Sequence, residues 1–111
     1  MKREENPRID KIFKAIADPT RRSIFHALVL AGSALSITQI SAEHDISRQG
    51  VTKHIKNLES AGLITINKDG REKYCIAEPK TLQLVFNWLS YYDKFWDDTL
   101  DRLDDHLKSS K

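Results

Sequence analysis

The sequence has a single cysteine, no internal repeat and no long apolar run. Cys75 has no partner for a disulfide within one chain. No apolar segment reaches the roughly 18–20 residues that cross a bilayer. The first residues are charged and lack the apolar core of a signal peptide. We therefore expect neither a disulfide-stabilised secreted fold nor a membrane partner, and we expect a cytoplasmic location.

Patterns typical of catalysis are also missing. The sequence has no glycine-rich phosphate loop, no Ser/His/Asp grouping and no paired-carboxylate motif at a recognisable spacing. It therefore predicts a protein that is not an enzyme and binds no cofactor. With 111 residues, 40% of them hydrophobic, we expect one globular domain over residues 1–111. Its core would be modest and would gain from burial against a second copy.

Charge is nearly balanced overall, at +2, but it is unevenly distributed along the chain. Six basic side chains and three acidic ones lie between residues 46 and 77. Between residues 88 and 107, six aspartates lie with one lysine and one arginine. The first segment is suited to contact with phosphate, and the second is not.

Hydrophobic spacing and capping residues predict three helices in the first part of the chain. Asp18 and Pro19 separate the first two, as a cap followed by a favourable first helical residue. Gly32 is a typical stop for the second helix. Either Ser36 or Thr38 caps a short third helix.

The second half of the chain predicts a turn, a helix, a hairpin and a last helix. The turn covers residues 44–46, and the fourth helix begins after Ser47 and stops at Gly62. The pair Asp69-Gly70, between two strand-like runs, is a strong hairpin signal. One straight helix is expected over residues 79–107, about 40 Å long at ~1.5 Å per residue.

Two helices joined by a tight turn and followed by a hairpin are typical of a winged helix-turn-helix. The expected fold class is therefore mainly α with a small β-hairpin, in a dimeric winged helix-turn-helix. Two function classes fit this fold. The first is a DNA-binding transcriptional repressor, and the second is a protein-interaction module that does not bind DNA. The basic fourth helix favours the repressor.

The fourth helix has a polar face suited to reading DNA. In a helix-turn-helix, the second helix enters the major groove with its N-terminal residues toward the base edges. Arginine pairs with guanine and glutamine with adenine, while threonine and lysine contact phosphates or thymine methyls. A solvated polar face is the alternative, and the adjoining turn and hairpin favour DNA. The candidate DNA-binding residues of this helix are Ser47, Arg48, Gln49, Thr52, Lys53 and Lys56.

The hairpin has three basic residues around its tip: Lys68, Arg71 and Lys73. Such a wing lies along the DNA backbone or in the minor groove. Lysines that protect an edge strand from aggregation are the alternative, and for any one residue both readings stay open. For Cys75, in the second strand, packing in the strand is favoured and a redox-sensing thiol is the alternative.

Aromatic residues are concentrated late in the chain, with five of the nine between residues 88 and 96. On a helix they cover more than one face, and a single small domain cannot easily bury them all. We expect a homodimer formed by the first and last helices. A ligand pocket at the dimer seam is the alternative. The predicted interface residues are Ile9, Ile12, Phe13, Ile16, Leu89, Tyr92, Trp96, Leu100 and Leu103.

Three segments in order resemble the ArsR family, the arsenical-resistance type of bacterial repressors. Residues 13–25 resemble the family's LADPTRLRIL-like opening, and residues 47–55 resemble its recognition helix. Residues 58–64 followed by 70–74 resemble its wing. The resemblance covers roughly residues 9–78. It implies a homodimer that binds a double-stranded DNA operator and is usually released by an effector, which stays unknown here.

The same resemblance implies a branch of the family without the usual metal sites. Metal-sensing members often have a Cys-x-Cys pair near the start of the third helix, where this sequence has Ser36 and Thr38. Other members use Asp and His ligands on the last helix, and two of those ligands are missing here. The nearest match is Asp93, Phe95, His106 and Ser109. Soft and borderline metals need several Cys or His ligands, so no metal is expected.

Overall fold

Six α-helices and three short strands make up the part of the protein that the structure describes. The structure, a computed structural model, describes residues 6–109, except for the side chains at positions 97, 98 and 109. Residues 1–5 and 110–111 of the predicted domain lie outside the described part. The elements in order are α1 (Pro7–Ala17), α2 (Pro19–Ala31), β1 (Leu35–Ser36), α3 (Ile37–His44), α4 (Arg48–Ser60), β2 (Ile64–Asp69), β3 (Glu72–Ala77), a 3₁₀ turn (Pro79–Leu82), α5 (Gln83–Ser90) and α6 (Asp93–Ser109).

Local capping chemistry sets the first helix boundaries. Asp18 ends α1 and begins α2, and its carboxylate accepts the Arg21 backbone N–H at 3.0 Å. Pro19 occupies the first turn of α2, where a missing N–H costs nothing. Gly32 ends α2 at φ +65° and donates its N–H to the Leu28 carbonyl. The helix boundaries predicted at these residues are confirmed.

The sheet is antiparallel in the order β1-β3-β2. Asp69 pairs with Glu72, so the two residues of the hairpin turn are Gly70 and Arg71. Gly70 has φ +67°, which glycine adopts without strain. The predicted hairpin is confirmed, although its turn lies one residue later than the Asp69-Gly70 pattern indicated. Strand β1 was not predicted from the sequence.

The core lies between α1–α4 and the inner half of the sheet. Ile12 is fully buried there, so it belongs to the core of the single chain and cannot form an interface between copies. That part of the predicted dimer interface was wrong, because helical periodicity identifies an apolar face but not the neighbour that covers it. The buried hydrophobic residues are Ile12, Ala15, Ile24, Phe25, Leu28, Ile37, Ile40, Val51, Ile55, Leu58, Ala61, Leu63, Ile64 and Cys75.

The predicted straight last helix is wrong, because the chain forms a 3₁₀ turn and two helices. Between α5 and α6, the Tyr92 N–H bonds to the Leu89 carbonyl and the Phe95 N–H to the Tyr92 carbonyl, both at 2.9 Å. These i→i−3 bonds interrupt the α-helical pattern. Leu84 and Val85 of α5 pack on the core, whereas every described side chain of α6 is exposed.

The molecule is consequently elongated, with principal extents of 62 × 37 × 22 Å. Its radius of gyration is 18.5 Å, against about 13 Å for a compact chain of this length. In the part of the chain that the structure describes, no helix is long and apolar enough to cross a membrane.

Candidate nucleic-acid interface

The turn between α3 and α4 is held by specific polar contacts. Ser36 and Gln39 form a reciprocal capping box that fixes the start of α3, which settles Ser36 as the cap. Asp45 ends the helix at φ +53°, a conformation that aspartate tolerates better than most residues. The Ser41 hydroxyl then donates to the Ile46 carbonyl, and the Ile46 N–H returns to the Ser41 carbonyl at 3.3 Å.

Helix α4 packs closely against this turn. Ser47 caps the helix by accepting the Gly50 N–H at 3.0 Å. A β-carbon at Gly50 would lie 2.7 Å from Ile46 Cγ2, so only glycine fits here without displacement of the Ile46 side chain. The inward face of the helix is formed by Val51, Ile55 and Leu58.

The outward face of α4 contains the residues that the sequence predicted for DNA. Thr52 is half-buried, and its hydroxyl donates to the Arg48 carbonyl at 2.8 Å within the helix. The first turn of the helix has no acidic residue, so its positive end stays available to an anion. The exposed residues of this face are Arg48, Gln49, Lys53 and Lys56.

The wing, defined as residues 64–77, brings two lysines together. Lys68 on β2 pairs directly with Lys73 on β3, so their side chains lie on the same face of the hairpin. Like charges in directly opposed positions are destabilising. Among the described side chains, no acidic group forms an ion pair with either lysine. An anion between them would relieve this repulsion, and exposed Arg71 adds a third positive charge at the turn.

Arg48 joins the start of α4 to the wing. Its Nη2 donates to Glu72 Oε1 at 3.4 Å, and its Nη1 donates to the Thr38 hydroxyl. The Thr38 hydroxyl in turn donates to Glu72 Oε2 at 2.7 Å. This hydrogen bond, followed by the Lys73 N–H and Arg48, holds the pKa of the Glu72 carboxyl below its usual value. Sequence reasoning missed the role of Thr38 and Glu72, which are 34 positions apart.

A second surface lies at the junction of α1, α5 and α6. The Phe13 and Trp88 rings meet edge to face at 5.4 Å, as do Trp88 and Tyr92. Predicted interface residues Ile9, Phe13, Ile16 and Tyr92 are half-buried in the single chain, whereas Leu89, Trp96, Leu100 and Leu103 are exposed. An open cavity of about 680 Å³ is lined by Tyr91, Tyr92, Phe95, Trp96, Thr99 and Leu100.

The structure also bears on two other candidate functions, metal binding and redox sensing by Cys75. Among the described residues, no three His, Cys, Asp or Glu side chains are grouped to hold a metal ion. Ser109 is one of the four positions that come nearest to the family's metal ligands on the last helix, and its side chain lies outside the described part. Cys75 is fully buried, and burial raises the pKa of its thiol to about 11. A protonated, inaccessible thiol is typical of packing in the core.

Comparison with known proteins gives the family. A model of a helix-turn-helix domain matches residues 16–67. The transcriptional repressor SdpR of Bacillus subtilis is 31% identical over 81 residues, covering 73% of this chain and 88% of SdpR. The crystal structure of an ArsR family transcriptional regulator is 30% identical with a TM-score of 0.74, covering 84% of this chain and 95% of that one. This chain belongs to the ArsR family.

The ArsR family consists of DNA-binding transcriptional regulators, which confirms the winged helix-turn-helix and shows that the chain is not an enzyme. The same fold occurs in the winged helix-turn-helix DNA-binding domain Mb0332 of Mycobacterium bovis, described as homodimeric. That domain is 18% identical with a TM-score of 0.62, covering 79% of this chain and 81% of its own.

Proposed function

We propose that this ArsR-family regulator is a repressor that binds a palindromic operator as a homodimer. The observation that supports this most strongly is the contact between Arg48 of α4 and Glu72 of the wing, at 3.4 Å. It joins the start of α4 to the wing, the two elements that contain the candidate basic side chains. We also propose that the protein acts in the cytoplasm, where a repressor of this family meets its operator.

Each part of the proposed DNA surface has a chemical role. Exposed Gln49, in the first turn of α4, can donate to and accept from an adenine in the major groove. The N-terminus of α4, which Ser47 caps, favours binding of a DNA phosphate. The remaining proposed contacts are to phosphates and thymine methyls, from Thr52, Lys53, Lys56, Lys68, Arg71 and Lys73.

The proposed homodimer accounts for the exposed apolar side of α6. Trp96 is 47% exposed and Leu100 is 58% exposed, on a helix that makes little contact with its own core. Monomeric proteins rarely expose an apolar stripe of this length, and a twofold axis would cover it with its own copy. Two recognition helices would then lie about 34 Å apart, in successive major grooves.

The experiment is selection of a binding sequence from a random DNA pool, followed by titration of variants. We expect a palindrome, with Gln49→Ala costing about 1–3 kcal/mol only on sequences that contain its base. Lys56→Ala should weaken binding to all DNA sequences alike, since it removes a phosphate contact. Lys14→Ala, which removes the same charge from an exposed position on α1, is the control and should not change DNA affinity. Failure to enrich any sequence would favour the protein-interaction module instead.

A further inference from the structure

Arg48 has a different environment from the other exposed residues of α4. Although its side chain is 54% exposed, its two terminal amino groups bond to Thr38 and Glu72. Gln49, Lys53 and Lys56 have no such partner among the described side chains. A guanidinium already engaged by a carboxylate must break that pairing before it reads a guanine.

The outer half of the wing has little else to hold it against α4. Residues 67–71 are exposed, and β1 pairs with β3 only at Tyr74 and Cys75, short of the hairpin tip. In the described part of the chain, the side-chain hydrogen bonds between α4 and the wing come from Arg48 alone. The hydroxyl of Thr38 completes the link, because it accepts from Arg48 and donates to Glu72.

Glu72 also needs an explanation on a surface proposed to face phosphate. An unpaired carboxylate beside the Lys68–Lys73 pair would repel DNA. Pairing with Arg48 and Thr38 occupies both of its oxygens and turns them toward α3 and α4.

We propose that Arg48 is a positioning residue: through Thr38 and Glu72 it fixes the wing relative to the recognition helix, so that both meet the operator together. Base discrimination then falls to Gln49 and its neighbours. This inference rests on the proposed function, because it assigns a role within the same DNA surface.

The test uses Thr38→Val, which removes the linking hydroxyl without changing any charge. The variant loses two hydrogen bonds, so operator affinity should fall about 5- to 150-fold relative to non-specific DNA. Thr38→Ser keeps the hydroxyl and should restore binding. The control is Ser33→Ala, which removes a hydroxyl that donates to the Ala31 carbonyl at 3.4 Å in the loop after α2 and should leave affinity unchanged.

A double-mutant cycle separates positioning from base reading. If Arg48 positions the wing through Thr38, the loss of affinity in the Arg48→Ala/Thr38→Val double variant should be smaller than the sum of the two single losses, and the base preference should be retained. Unchanged binding by Thr38→Val, or loss of preference at one base pair in Arg48→Ala, would overturn the inference. If the unmodified protein selects no sequence at all, the proposed function itself fails, which is a distinct result.

Discussion

Replacement of Trp96 by alanine tests the proposed dimer interface. The expected loss of dimer stability follows from the area that this side chain exposes in the single chain. The side chain is 47% exposed in the single chain. A buried tryptophan covers up to about 250 Å², so roughly 100 Å² remains for the second copy to cover. At ~25 cal/mol per Å², Trp96→Ala should remove about 2.5 kcal/mol per protomer and about 5 kcal/mol per dimer. The dimer dissociation constant should then rise about 10³- to 10⁴-fold.

Sedimentation equilibrium measures this change directly, with operator titration on the same samples. Circular dichroism should still show a folded protomer, because α6 contributes little to the core. Leu30→Ala is the matched control, since Leu30 is 72% exposed near the end of α2 and is not among the predicted interface residues. If Trp96→Ala is still a dimer at micromolar concentration and binds operator normally, α6 is not the interface.

Gly50→Ala should lower the free energy of unfolding by about 1–3 kcal/mol in denaturant melts, because the added carbon meets the Ile46 side chain. An unchanged denaturation midpoint would show that this side chain moves aside without cost. Burial raises the thiol pKa of Cys75 from 9.0 to about 11, so its contribution to stability is complete below pH 9 and is lost as pH rises toward 11. Cys75→Ala should abolish this loss of stability with pH. Rapid alkylation of the folded protein at pH 8 would contradict a buried, protonated thiol. Excess zinc, cadmium or arsenite should not release the operator, and stoichiometric zinc that abolishes binding would contradict the metal-free assignment.

Features with local chemical causes could be read from the sequence. Asp18, Ser47 and Gly32 act on backbone groups within four residues, so their identities alone predicted the helix boundaries. The polar face of α4 was likewise predictable, since helical geometry fixes which residues share a side.

The missed features depend on tertiary contacts. Apolar spacing of three and four continues through Tyr91 and Tyr92 without a glycine or proline, so nothing in the sequence marks the break between α5 and α6. Strand β1 has two residues, too few to show alternation. The link from Thr38 to Glu72 exists only because the sheet brings the start of α3 beside the wing.

The most direct test of the central claim is the salt dependence of binding to the selected operator. Neutralised phosphates release counterions, so about 6–10 phosphate contacts should lower affinity about 10³- to 10⁵-fold between roughly 50 and 200 mM salt. We expect log affinity to fall linearly with log salt, with a slope reduced by about one in Lys56→Ala. Affinity that stays flat across this range would contradict a DNA surface built from α4 and the wing.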